Sequence, residues 1–152
     1  MIARLKELLS LGRNGAEAAD LRLATAALLV EAARMDGVVD PAEQARILAL
    51  LRDRFGISEA EAGALAEDAG RAADETVQLF GFTRIINDSL MPEDRVRMIE
   101  MLWEVAYADG RLHDYEANLI RRISGLLFVS DQDSGEARKR VLARRHPTEN
   151  PA

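Results

Sequence analysis

The chain contains no cysteine. Disulfides, thiolate metal sites and thiol nucleophiles are excluded together, and the redox compartment stays open. No apolar run approaches the roughly 20 residues of a membrane helix. The longest, Ala24 to Val30, is seven residues. Lys6 and Glu7 interrupt any apolar stretch near the N-terminus, so a signal peptide is not expected. Positive charge is also wanting: the net charge is -6 and the pI about 5.0, which argues against a nucleic-acid binder. There is no phosphate-cradling loop, because Gly12 and Gly15 lack the following Lys-Ser/Thr. No segment alternates apolar and polar residues over a strand length.

What remains is a helical composition. The 152 residues are 48% hydrophobic and 30% charged, enough for one folded domain. Alanine and leucine supply 45 residues, against 20 of Val, Ile and Thr, and both are strong helix formers. Ile2, Leu5, Leu8 and Leu9 form a short stripe, expected to end at Gly12 and Gly15. A second stripe of Leu21, Thr25, Leu28, Ala32 and Met35 stops at Asp36-Gly37. Asp40-Pro41-Ala42-Glu43 is a start signal: an N-cap, a proline at the first helical position and Glu three after the cap. Its helix runs through Ile47, Leu50 and Leu51 to Phe55-Gly56. Ser58-Glu59-Ala60-Glu61 opens another to about Ala73. Asp74 is read as the cap of a helix carrying Val77, Phe80 and Ile85. Further helices are predicted from Pro92 to Ala108, from Asp114 to Phe128, and from a Ser130 cap to about His146-Pro147. The expectation is an all-α fold: about eight helices in a compact antiparallel bundle, one domain over 1–147, with a frayed tail at 148–152.

Residues 28–55 and 101–128 align at a constant offset of 73, with eight identities in 28 positions. The identities include Glu31 with Glu104, Asp36 with Asp109, Gly37 with Gly110, Glu43 with Glu116, Ile47 with Ile120 and Phe55 with Phe128. A pseudo-two-fold internal duplication of helix, Asp-Gly turn and helix is expected. Glycine there ends a helix in a left-handed conformation without Cβ strain. An aspartate at a helix C-terminus opposes the macrodipole, so it needs a partner: the next helix N-terminus, a cation or a base. Two readings of each turn follow. In one, Glu43 and Glu116 reach back to their caps and the turn is architecture alone. In the other, the acids gather as oxygen ligands for a hard cation such as Ca²⁺ or Mg²⁺. The candidate ligands are Glu31, Asp36 and Glu43 in the first segment and Glu104, Asp109 and Glu116 in the second. The spacing is not that of an EF-hand loop.

The run Ala106-Tyr107-Ala108-Asp109-Gly110-Arg111-Leu112-His113-Asp114-Tyr115-Glu116 and its weaker counterpart Met35-Asp36-Gly37-Val38-Val39-Asp40-Pro41-Ala42-Glu43 resemble the paired "ADG…E" motifs of the tellurite-resistance TerB family. The likeness spans about Leu23 to Leu142. It implies an all-helical, cytoplasmic, bacterial domain associated with tellurite and stress resistance, with divalent-cation binding through acidic residues. Asp36, Glu43, Asp109 and Glu116 match the motif. Met35 departs from the usual alanine, and His113 stands where the first segment has Asp40.

Three functional readings remain. The first is a non-enzymatic TerB-like domain whose acidic turns bind a divalent cation or a partner. The alternative is an adaptor in which the turns are only helix caps. The third, a hydrolase using the carboxylates, lacks a nucleophile, an oxyanion donor and a substrate-orienting motif. Glu100 and Glu104 form a like-charge pair that Arg97 is placed to relieve. His113 is either a tuner of the acidic turn or a bystander near the cap. Trp103 and Tyr107 are read as core plus a half-buried hydroxyl, or as a partner surface if exposed. Arg138, Lys139, Arg140, Arg144 and Arg145 form a basic stretch, read as a decorated helix C-terminus or as an arm for another copy of the chain or an anionic lipid surface.

Overall fold

The computed structural model describes residues 2–35, 38–75 and 79–145, with side chains for 18–34, 39–74 and 79–145. Seven helices occur among these residues: α1 Ile2–Ala33, α2 Pro41–Phe55, α3 Glu59–Glu75, α4 Phe80–Ser89, α5 Pro92–Ala106, α6 Asp114–Leu126 and α7 Asp131–Arg145. A two-residue antiparallel ladder pairs β1, Arg34–Met35, with β2, Val38–Val39, at the end of α1.

The number of helices is lower than the sequence predicts because α1 is continuous where two helices were expected. Gly12 and Gly15 do not stop it. A glycine costs a helix about 1 kcal/mol, and the Ala, Leu, Arg and Glu around these two favour continuation. Asp74 also departs from its expected role. It lies inside α3 and pairs with Arg34. The next helix starts at Phe80 after Leu79, which offers no side-chain cap. Val77 lies outside the described residues, as does the tail after Arg145.

Helix α1 is the central element, touching α2, α3, α4, α5 and α6. Leu28 and Leu29 on it are fully buried, with Ile47 and Leu51 of α2, Met98, Ile99 and Leu102 of α5, and Ile120 and Ile123 of α6. Helix α3 buries Ala62, Ala66 and Ala69, a stripe of small residues that lets it lie close against α1. Arg34 reaches across this contact to Asp74 and to the Gly70 carbonyl. Asn87 of α4 donates to the Leu126 carbonyl at 2.9 Å, closing the C-terminus of α6.

Three arginines of the basic stretch, Arg138, Arg140 and Arg144, reach from the exposed side of α7 to α5. Arg140 and Arg144 meet Glu100 at 2.6 and 3.0 Å, and Arg144 meets Glu104 at 2.5 Å. Arg138 lies over the rings of Trp103 and Tyr107 and donates to the Tyr107 hydroxyl at 2.6 Å. Both rings are buried, so this pair belongs to the core. The Glu100–Glu104 repulsion is relieved by α7, and Arg97 instead pairs with Asp94 at 3.9 Å.

The two segments aligned in sequence share some local features, although among the described residues only the first carries the β1–β2 ladder. Each buries a glutamate at the third position of its second helix. Each then makes a left-handed turn, at Gly56 with φ 61° and at Phe128 with φ 57°. A serine cap follows in each: Ser58 accepts from the Glu61 N–H and Ser130 from the Asp133 N–H, both at 3.1 Å.

Candidate acidic site

The Asp109-Gly110 turn is held by its own backbone. The Gly110 N–H donates to the Tyr107 carbonyl at 2.9 Å, and Gly110 takes φ 84°. A Cβ at that position would meet nothing within 4 Å, so the demand for glycine is purely conformational. Gly110→Ala is therefore expected to destabilise the protein by about 1–2 kcal/mol, the cost of left-handed backbone for an L-residue. Urea unfolding measures it, and an unchanged midpoint contradicts it.

Asp109 answers the question of what compensates an acid at the end of α5. Its Oδ1 accepts from the Arg111 N–H at 2.9 Å, a side-chain turn that bridges toward α6. Its Oδ2 lies 3.4 Å from His113 Nε2. His113 is the N-cap residue of α6 but makes no side-chain cap bond; the ring turns toward the acids instead. The same Nε2 lies 4.0 Å from Glu116 Oε1.

Glu43 and Glu116 occupy the third position of α2 and α6, where a capping-box glutamate would reach back to the cap. The chain supplies its own standard for that arrangement. Ser58 N–H donates to Glu61 Oε1 at 3.1 Å, Glu61 is exposed, and the bonds from Ser58 hold its carboxyl below the ordinary value. Glu43 and Glu116 differ from Glu61 in burial, although the His113 N–H at the cap of α6 still faces the Glu116 carboxyl. They are 3% and 0% exposed. Glu43 Oε2 and both carboxylate oxygens of Glu116 are buried with no hydrogen-bond partner. Burial, with the charges of Asp109 and Asp40, pushes Glu43 up to about 7. Burial, with the charges of Glu43 and Asp109, pushes Glu116 up to about 8; the nearby His113 N–H opposes this only in part. Two helices thus bring two carboxyls within each other's field, with Asp109 between their influences.

Of the six acids singled out from the sequence, the fold brings Glu43, Asp109 and Glu116 together. Asp36 lies outside the described residues. Glu104 faces α7, where Arg144 holds it. Glu31 lines a separate cleft of about 410 Å³ with Arg34, Asp74, Tyr115 and Arg122. Asp40 caps α2 through the Ala42 N–H at 2.8 Å and adds its charge to Glu43. The sequence named Asp40 and His113 only as cap residues, or in the case of His113 as a tuner; neither had a periodic signature that would mark it as part of the cluster.

A carboxylate withdrawn from water without hydrogen bonds is costly, and a divalent ion would supply the missing partner. Among the described residues, no three His, Asp or Glu side chains already stand at metal-holding distances, so an ion would have to draw them inward.

A helical domain with an acidic Asp-Gly turn beside two buried glutamates is the class this fold and site define. The family model described as "Tellurite resistance protein TerB" matches residues 22–139, and the chain belongs to that family. Neither a curated protein nor a solved structure matches it. Among the described residues, no helix is long and apolar enough to cross a membrane.

Proposed function

We propose that this TerB domain is a non-enzymatic, tellurite-resistance-associated module that binds a divalent cation between α2 and α6. The observation that carries the reading is the burial of Glu43 and Glu116 with unpartnered oxygens at positions where an ordinary capping glutamate is exposed and bonded. Glu43, Glu116 and Asp109 are the ligands favoured. Glu104 is not among them, because Arg144 already neutralises it. Glu31 is not among them either, because it lines the cleft with Arg34. No nucleophile accompanies the acids, so binding is favoured over chemistry.

Cation binding requires the ionised carboxylates, and these hold protons to about pH 7 and 8. Affinity should therefore rise between pH 6 and pH 8, with proton release on binding. Calorimetric titration of metal-free protein with Mg²⁺, Ca²⁺, Mn²⁺ and Zn²⁺, in buffers of different ionisation heat, measures both. The Glu43→Gln/Glu116→Gln double variant should lose the response. No wild-type heat with any of the four ions, or an unchanged isotherm in the double variant, rules the reading out.

The adaptor reading, with no ion, is favoured by one observation. Asp40 and Asp109 each accept a local backbone N–H, as cap and turn residues do. It gives Glu116 a contact with the His113 cap N–H but no reason for the burial of the two glutamates. In that case Glu43→Gln and Glu116→Gln change stability while ion titrations stay flat.

A further inference from the structure

The cation-binding reading treats the acids alike, but the ring beside them is a different kind of donor. His113 Nε2 lies 3.4 Å from Asp109 Oδ2 and 4.0 Å from Glu116 Oε1, so one nitrogen faces oxygens from two residues. Ligand bonds of about 2.1 Å give donor-to-donor separations of about 3.0–3.4 Å in octahedral or tetrahedral sites. The His113–Asp109 edge is already that long, while Glu116 at 4.0 Å would have to move inward before the three side chains could hold an ion. Asp109 Oδ2 is the oxygen left over after Oδ1 is used by the Arg111 N–H, so it is aimed by the turn. Both Glu116 oxygens are buried and unpartnered. Hard Ca²⁺ and Mg²⁺ prefer all-oxygen shells, whereas imidazole nitrogen favours borderline transition-metal ions.

We propose that His113 sets the ion selectivity of this site, as a nitrogen ligand beside Asp109 and Glu116, so that a Zn²⁺- or Co²⁺-like dication is taken in preference to Ca²⁺ or Mg²⁺. This rests on the cation-binding reading above. The first segment has Asp40 at the matching position, an all-oxygen arrangement. Among the differences between the two loops, His113 is the one that adds an imidazole nitrogen.

His113→Asp provides the test, because aspartate is a good N-cap and the histidine makes no cap bond that would be lost. The full chain in a His146→Ala background leaves His113 as the one imidazole. Metal-free protein is titrated calorimetrically with Zn²⁺, Co²⁺, Ca²⁺ and Mg²⁺, and the visible absorption of Co²⁺ is recorded. With no thiol in the chain, that spectrum reports nitrogen and oxygen ligands alone. The expected result is a loss of at least tenfold in Zn²⁺ and Co²⁺ affinity in His113→Asp, a Ca²⁺ affinity that is kept or raised, and a changed Co²⁺ spectrum. His113→Gln, which cannot restore a carboxylate, should lose Zn²⁺ affinity without gaining Ca²⁺. If both variants keep the wild-type ratio of Zn²⁺ to Ca²⁺ affinity, the carboxylates act alone and His113 is not a ligand, although the site itself stands. If wild type binds none of the four ions, the cation reading fails and this inference with it.

Discussion

Replacing Glu116 with glutamine raises the melting temperature of the metal-free protein at pH 8 and lowers it slightly at pH 5. The sign follows from linkage. Glu116 carries a folded-state pKa of about 8 against 4.5 for the free group. Between those values the folded state holds the proton that the unfolded chain releases. Its stabilising contribution is complete below about pH 4.5 and is lost as pH rises through about 8. Glutamine keeps the shape and cannot ionise. At about 1.4 kcal/mol per pKa unit the relieved penalty is several kcal/mol, and the buried amide's own unmet donors offset part of it. A net gain of about 2 kcal/mol at pH 8 is expected, or roughly 4–8 °C for a chain of this size. Glu43→Gln should act in the same direction over a window ending nearer pH 7. Thermal melts in chelator at pH 5 and pH 8 decide this; equal shifts at both pH values would show that burial does not control these carboxyls. Adding the bound ion should reverse the ranking at pH 8, because wild type then gains stabilisation from binding that the variant cannot.

Trp103→Ala is expected to cost about 3–5 kcal/mol, the largest loss from a single side chain considered for this fold. The indole joins α5 to α7 through Ser134 and Arg138, and it also packs beside Tyr107 at the end of its own helix. Its Nε1 donates to Ser134 Oγ at 3.2 Å, its ring lies 6.2 Å from that of Tyr107, and the Arg138 guanidinium sits 5.3 Å from its centroid. Truncation opens a cavity under Arg138 and removes the aromatic surface on which that cation rests. Ser134 keeps a contact to Ser124 Oγ at 3.4 Å, so losing the indole N–H alone is the smaller part. Trp103→Phe should therefore cost clearly less than Trp103→Ala and retain the cation response, since Glu43 and Glu116 sit on α2 and α6. Circular dichroism must report the unfolding, because the chain has a single tryptophan. Equal losses in the two variants would place the stabilisation in the N–H bond.

Much of the helical architecture was legible along the chain. Pro41 and Pro92 start α2 and α5, and Ser58 and Ser130 cap α3 and α7, because these are interactions among residues a few positions apart. The unbroken α1 was not legible. A glycine is a weak signal whose local cost the surrounding helix formers can outweigh. Asp74 was misread for the opposite reason: its partner, Arg34, lies 40 positions away.

The candidate site divides along the same line. Its residue types and spacing stood in the sequence, since Asp109, Glu116, Glu43 and the turn glycine belong to short motifs. Helix content, the family resemblance and the identity of the acids were determined by sequence alone, through propensity and contacts within a turn or two. Only tertiary structure decided that Glu43 and Glu116 turn inward where Glu61 turns out, that Glu104 is taken by Arg144, and that His113 faces the acids. The physical reason is that burial and Coulomb energy depend on distances between helices, and no spacing along one chain specifies which charges a folded core will place side by side.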